Sequence, residues 1–339
     1  MTGAAANGTG PAANGTGPAA AGAGVCVRAP ATSANLGPGF DAAGLALDWW
    51  DTLEARLSAS ASASVSVSTS TSASASVSTS IQVSGEQAEA ISVGRGNLVL
   101  RAMRQLAAEV GAELPALQLS LVKGFPLGRG FGSSGAAVAL GLLSARALLA
   151  PELPINEVLR LATELEGHPD NVAPCLQGGA TLCWSEAGVV RSHAVPLHPD
   201  LTAVALVAPE PMSTRQARRL LPTQVRFVAA TRSAGRAALL PLALGGDFDL
   251  LLPATEDVLH QPARLAGAPS AARALELLRG RGRAAFLSGA GPSLLVLCPR
   301  AAAEGARADA EEALAASDAA GWQVRAVDLA RVGAHVQNI

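Results

Sequence analysis

The stretch PLGRGFGSSGAA, Pro126–Ala137, sets Gly128, Gly130 and Gly132 at alternate places and follows them with Ser133, Ser134 and small apolar residues. A strand-like LQLSLVKGF precedes it and a helix-like run follows. Glycine tolerates positive φ and lets the backbone come close to a ligand. A helix N-terminus adds unpaired N–H groups and the positive end of the dipole. Ser133 or Ser134 is placed to act as N-cap, its hydroxyl taking an early backbone N–H. The residues alone leave two readings open, a tight turn or a cradle for phosphate. A Walker A loop is excluded, because Ser133 stands where that pattern needs Lys.

Around this loop the chain runs to 339 residues, 49% hydrophobic and 15% charged, enough for two ordinary domains with a sizeable core. A net charge of −2 gives no electrostatic reason to expect nucleic acid or an acidic membrane surface as partner. No stretch is long and apolar enough to read as a transmembrane helix. Cys26, Cys175, Cys183 and Cys298 form no CxxC pair, and three of them sit in apolar runs, which predicts free buried thiols rather than disulfides or a zinc site.

Residues 1–24 are low in complexity, with AANGTGP at 5–11 and again at 12–18, and read as a disordered tail that lacks the features of a secretory signal. The tract from Ser58 to Ser80 places Ser at every even position. It is far longer than an ordinary strand and reads as a repeat-expanded loop or extended hairpin between DTLEARL and IQVSG. Elsewhere VCVRAP, LQLSLVK, ATLCW, TAVALVAP and AAFLSGAGPSLLVLC read as strands. GNLVLRAMRQLAAEVG, SSGAAVALGLLSARALLA, INEVLRLATELEG, MSTRQARRLL and SAARALELLRG read as helices. Strands and helices interleave without a regular βαβ beat, so the expected class is α+β. A boundary is expected near 190–200, dividing the chain into 25–195 and 196–339.

Three further stretches carry polar groups in small-residue or apolar settings. RAPATSANLGPGFDAAGLAL, Arg28–Leu47, reads as a shaped loop after the first strand that presents Asn35 and Asp41; turn chemistry alone would also account for both. EGHPDNVAPCLQGGA, Glu166–Ala180, crowds Glu166, His168, Asp170 and Asn171 around a proline. Asp170 would serve there as a cap for the short helix NVAPCL, or as one of a polar group too expensive to bury without purpose. SGAGPS, Ser288–Ser293, is a glycine turn between two apolar strands, with a hairpin connection as its plain reading.

Taken together and in this order, the four stretches resemble the homoserine kinases, a branch of the GHMP small-molecule kinases. PATSANLGPGFDAAGLAL is similar to the homoserine form of the first motif, PLGRGFGSSGAA to the ATP-binding second motif and LSGAGPS to the third. EGHPDNVAP, STRQARRLLP and LHQPAR add branch-specific matches, and the resemblance spans about residues 25–335 apart from the Ser-rich insert. Phe131 departs from the Leu or Met that the family usually carries there. The Gly-Glu-His element of the galactose and mevalonate relatives is absent.

The resemblance implies a two-domain GHMP kinase fold, with an N-terminal domain like ribosomal protein S5 and a ferredoxin-like α/β sandwich at the C-terminus. It implies transfer of the γ-phosphoryl of ATP to the side-chain hydroxyl of L-homoserine, a step of threonine biosynthesis, in a cytoplasmic homodimer; a plastid interior would suit a eukaryotic source. It assigns the nucleotide to Asn97, Lys123, Pro126, Leu127, Gly128, Arg129, Gly130, Phe131, Gly132, Ser133, Ser134, Gly135 and Ala136, with Asn97 and Lys123 near adenine and ribose. Mg²⁺ falls to Ser134 and Glu166, with Glu164 as second choice. Homoserine falls to Asn35, Asp41, His168, Thr214, Arg218, Arg264 and Gly289, the carboxylate of the substrate calling for an Arg fork and its ammonium for Asp41. Asp170, Asn171 and Arg218 are the candidate catalytic residues, Asp170 with no role assigned as base. A GHMP kinase for another small alcohol, or an inactive relative that binds ATP or an amino acid, are the alternatives.

Overall fold

A computed structural model describes residues 24–58, 79–94 and 96–339. The low-complexity tail and nearly all of the Ser-rich tract lie outside the described residues.

Two antiparallel strands, β1 (Gly24–Asn35) and β2 (Phe40–Leu57), form the spine. β2 is 18 residues long and pairs with β1 along its length. Sequence reading places Gly44 in a loop; it lies within β2, and it is glycine there because a Cβ would sit 1.8 Å from the carbonyl oxygen of Asp170. The shaped loop after the first strand is thus a hairpin turn, with Asn35, Leu36, Gly37 and Phe40 all at positive φ. β3 (Ser80–Gly85) precedes α1 (Leu98–Glu109), and β4 (Leu117–Lys123) leads to α2 (Ser133–Leu149). α3 (Ile155–Glu166) and the short α4 (Val172–Gln177) follow, then the hairpin β5 (Ala180–Glu186) and β6 (Val189–Val195). β4 is inserted between β2 and β3, so the strands that flank the Ser-rich tract do not pair with each other.

The second half opens with β7 (Leu201–Val207), fully buried and apolar except for Thr202. Helices α5 (Thr214–Arg219), α6 (Phe227–Gly245), α7 (Leu251–Ala254), α8 (Gln261–Leu265) and α9 (Pro269–Gly280) come next. β8 (Ala284–Leu287) and β9 (Leu294–Pro299) then form the hairpin expected at SGAGPS, followed by α10 (Ala303–Ala315), β10 (Gln323–Val327) and β11 (His335–Asn338). β10, β7, β9 and β8 make a four-stranded antiparallel sheet. Strand alternation sorts its two faces. Val204, Leu206 and Val296 meet α9 and α10, while Ala203, Ala205 and Leu295 join the main core with α6.

Sequence reading missed β2, β3, β6, α6, α7, α8, α10, β10 and β11. α6 and α10 are rich in alanine, so their apolar stripe is weak, and α6 carries Pro241 inside it. The proposed boundary at 195/196 falls between β6 and β7, and β11 returns from the second half to pair with β1 in the first sheet.

Candidate active site

Period-2 alternation along β4 turns Leu117, Leu119, Leu121 and Lys123 inward. Lys123 therefore arrives buried at the end of the strand, where its ammonium donates to the Asp51 carboxylate of β2 and to Ser133 Oγ at 2.9 Å. Asp51 also accepts the Gly124 N–H at 2.9 Å. Loss of solvent raises the Asp51 pKa and lowers that of Lys123, while their mutual attraction works the other way. Sequence reading did not single out Asp51; among the acids of β2 it is the one turned inward toward Lys123, which only the pairing of β2 with β4 reveals.

The loop after β4 needs its glycines. Gly128, Gly130 and Gly132 have φ of 64°, 88° and 65°. A Cβ on Gly130 would meet the Ser288 carbonyl oxygen at 2.1 Å, and one on Gly132 the Thr32 hydroxyl at 1.8 Å. The N-cap of α2 is Gly132, correcting the expectation for Ser133 or Ser134, and no side chain caps the helix. Both serine hydroxyls are engaged sideways instead: Ser133 takes Lys123, and Ser134 donates to Glu166 Oε2 at 2.7 Å. The uncapped N–H groups of the first turn border a cavity of about 330 Å³.

Leu127, Gly128, Gly130, Gly132, Ser133 and Ser134 line this cavity, as do Asn97 and Lys123. Other side chains assigned to the nucleotide do not. Arg129 turns to the opposite side and donates to the carbonyls of Leu127 (2.7 Å), Ala208 (3.1 Å) and Pro209, and Pro126 lines the cleft on that side. Phe131 is buried against Trp49, ring centroids 5.6 Å apart, and Ala136 is fully buried. Gly135 packs on Asn171. Their place is decided by the core, which needs a large apolar side chain beneath the loop and a guanidinium to hold its backbone. Asn97 caps α1 through bonds from Val99 and Leu100 N–H and donates to the Ser92 carbonyl at 2.7 Å, so its amide serves the wall itself. Lys123 sits at the start of α2, beside the glycine loop rather than apart from it.

A much smaller cavity, of about 20 Å³, abuts the first, and His168, Asn171, Thr214, Gly289 and Ala290 border both. The β1–β2 turn delivers Asn35 and Asp41 to it, α5 delivers Thr214 and Arg218, and α8 delivers Arg264. Arg218 grips Asp41 with both terminal nitrogens, at 2.6 and 3.1 Å, although 177 residues separate them. Asn35 Nδ2 donates to the Gly289 carbonyl at 2.5 Å and Arg264 Nη1 to the same oxygen at 3.0 Å. Arg264 is only 2% exposed and its Nε has no partner. Burial, then the like charge of Arg218, works against its charged form.

Asp170, also 2% exposed, accepts from His168 Nδ1 and from Asn171 Nδ2 at 3.3 Å. Thr32 donates to Asn171 Oδ1 at 2.8 Å and fixes that amide. Asp170 does not cap α4, whose N-cap is Asn171. Burial opposes protonation of His168, yet the bond and charge of Asp170 prevail and hold its pKa above 6.5. Glu166 has its carboxyl raised by loss of solvent. Glu164, the second choice for metal, is drawn to the outer surface by Arg160 at 2.6 Å. Among the described residues all four cysteines are free, and no three His, Cys, Asp or Glu side chains are placed to hold a metal by themselves. Thr32, Asp51 and the buried Ser288, which donates to Gly130 O at 2.8 Å, complete a set that sequence reading did not name.

A family model of the GHMP kinases N terminal domain matches residues 97–179, and one of the GHMP kinases C terminal domain matches 236–316. The homoserine kinase of Streptomyces coelicolor is 41% identical over 315 residues, covering 92% of this chain and 94% of its own. This chain belongs to the homoserine kinase family of GHMP kinases. That of Clavibacter michiganensis is 42% identical over 275 residues, covering 80% and 82%. The crystal structure of the homoserine kinase from Cytophaga hutchinsonii superposes with a TM-score of 0.78 at 26% identity, covering 93% and 97%. The two-domain GHMP kinase fold is therefore the fold of this chain. It is an ATP-dependent small-molecule kinase.

Proposed function

We propose that the protein phosphorylates L-homoserine at its side-chain hydroxyl with ATP, giving O-phospho-L-homoserine and ADP. One observation carries this reading: directly beside the phosphate-loop cavity, sharing His168, Asn171, Thr214, Gly289 and Ala290 with it, lies a small cleft of about 20 Å³ lined by Asp41, Arg218 and Arg264, which the acceptor would widen by parting the Arg218–Asp41 pair. An acceptor there has a carboxylate side and an ammonium side. Arg218 and Arg264 supply the cations for the first and Asp41 the anion for the second. In the absence of substrate Arg218 and Asp41 neutralise each other, so an amino acid would divide the pair and take one partner at each end. Asn35 and Asn171 flank the hydroxyl.

The transition state of phosphoryl transfer is loose, so positioning and charge stabilisation dominate over a strong base. The first-turn N–H groups of α2 and the glycine loop hold the triphosphate and take up its charge. Asp170 is bonded to His168 and Asn171 and orients both beside the acceptor. An oxygen pair, Ser134 Oγ and Glu166, suits Mg²⁺, which would neutralise phosphate charge there and draw its remaining ligands from phosphate and water. A homodimer and a cytoplasmic setting are proposed on resemblance alone.

The test is ADP release with Mg²⁺-ATP and L-homoserine, mevalonate, galactose, L-serine or no acceptor. Stimulation by L-homoserine alone is the expected result. Stimulation by another alcohol instead would move the reading to a sister kinase, and nucleotide-induced thermal stabilisation with no stimulation by any acceptor would leave a binding protein.

A further inference from the structure

His260 is buried to 2% exposure at the entry to α8, behind the acceptor cavity: it does not line the cavity but contacts Arg264, which does. Its Nε2 lies 2.8 Å from the Gly37 carbonyl in the β1–β2 turn. A carbonyl can only accept, so Nε2 carries the proton. On the other edge, Nδ1 lies 3.4 Å from Nη1 of Arg264, a group that can only donate. The ring must therefore be neutral, with the Nδ1 lone pair facing the guanidinium; a second proton would set two donors against each other. The ring also stacks on Phe40, centroids 5.1 Å apart and planes 30° from parallel. Phe40 in turn lies under the cations of Arg264 (5.5 Å) and Arg218 (5.8 Å). Asp257 fixes the backbone, accepting the N–H groups of His260 (2.9 Å) and Gln261 (2.8 Å).

We propose that His260, as a neutral Nε2–H imidazole, is the positioning residue that sets the plane of Arg264 and ties it to the β1–β2 turn, and so determines affinity for the carboxylate of the acceptor. Arg264 has Nη1 bonded to Gly289 and facing His260, while its buried Nε has no partner, so Nη2 is the end of the fork left for a ligand. The turn it ties down carries Asn35 and Asp41, so one ring orients the carboxylate side and the ammonium side together. The charged groups that face the ring are Asp257, with a carboxylate oxygen 3.7 Å from Nε2, and Arg264, with Asp41 and Arg218 farther off across Phe40. Burial holds the imidazole below its ordinary pKa, in keeping with the neutral tautomer. The inference rests on the homoserine reading above for the identity of the acceptor.

Steady-state kinetics of His260→Phe and His260→Asn test it on the full chain. Phe keeps the stack on Phe40 and loses both nitrogens; Asn restores an acceptor near the Nδ1 position. His260→Phe is expected to raise the KM for L-homoserine about tenfold, with kcat and the KM for ATP within about twofold of wild type. His260→Asn is expected to recover part of the homoserine KM. A rise in both KM values together, or equal behaviour of Phe and Asn, would overturn the proposal in favour of a merely structural histidine. Should His260→Phe fail to fold, ¹⁵N NMR of the wild-type imidazole decides. A single Nε2–H tautomer whose Nδ1 resonance moves on adding L-homoserine is expected, and a protonated or Nδ1–H ring at neutral pH sinks the idea. If wild type phosphorylates no homoserine, the functional reading falls, while the tautomer measurement still judges the ring.

Discussion

Asp170 accepts bonds from both His168 and Asn171, and the three meet where the two cavities join. Replacing it with Asn keeps the volume and removes the charge. Asp170→Asn is expected to lower turnover about tenfold or more, equivalent to about 1.4 kcal/mol of barrier, with an unchanged far-UV circular dichroism spectrum. Wild-type turnover in the folded variant would remove Asp170 from the machinery. The same pair gives a pH signature. The folded pKa of His168 lies above its ordinary 6.5, so its contribution to stability is complete below that value and is lost as pH rises through the raised one. The melting-temperature gap between wild type and His168→Gln should be wider at about pH 6 than at about pH 9. An equal gap at both pH values would mean that the pair contributes packing alone. At this scale the sequence was readable where residues crowd together along the chain, as at Glu166–Asn171. It was silent where partners are remote: nothing in LHQPAR says that His260 faces Gly37.

β4 shows how an element carries a functional group into place. Alternation predicts the inward Lys123 as surely as it predicts the inward leucines, since one face of the strand is buried throughout. A lone buried ammonium would be too costly, and Asp51 on the neighbouring β2 answers it. Lys123→Met alone leaves Asp51 buried and unpaired, and is expected to cost about 3–5 kcal/mol. The double variant Lys123→Met, Asp51→Leu should regain most of that loss in urea unfolding, while nucleotide affinity stays impaired because Ser133 has lost its donor. Failure of the second change to recover stability would mean that the carboxylate serves Gly124 more than Lys123. The glycine loop was legible for the same local reason, because alternating glycines before a helix-like run fix what the backbone can do. The side chains of Phe131 and Arg129 turn away from the cavity because a loop residue's side chain points wherever the core has room, and sequence spacing carries no such information.

The whole molecule is closed by its last strand. β11 pairs antiparallel with β1, and just before it the Ala334 N–H bonds the Cys175 carbonyl of α4 at 2.7 Å. Gly333 packs so tightly on Leu176 that a Cβ would lie 2.2 Å from its carbonyl oxygen. Since α4 follows directly on Asp170 and Asn171, the C-terminal segment supports the acceptor side of the site from behind. Removing residues 331–339 is expected to lower the melting temperature by more than about 2–4 °C, the shift that 1 kcal/mol produces in a domain of about 150–250 residues. It should raise the KM for the acceptor more than that for ATP. An unchanged melting temperature would show β11 to be dispensable.

What the sequence by itself determined about this protein is local. It specified the glycine loop, the strand before it and the helix after it, the free cysteines, and four motifs whose order resembles one kinase family. All of these depend on residue types at fixed short spacings, where backbone sterics and periodicity act directly. Only the tertiary structure decided the joining of Asp41 to Arg218, of Asp51 to Lys123, of His260 to Gly37 and of β11 to β1. These contacts span from tens to hundreds of residues, and they follow from how the two sheets and their helices pack over shared cores, a result of total buried volume and shape that no short spacing encodes.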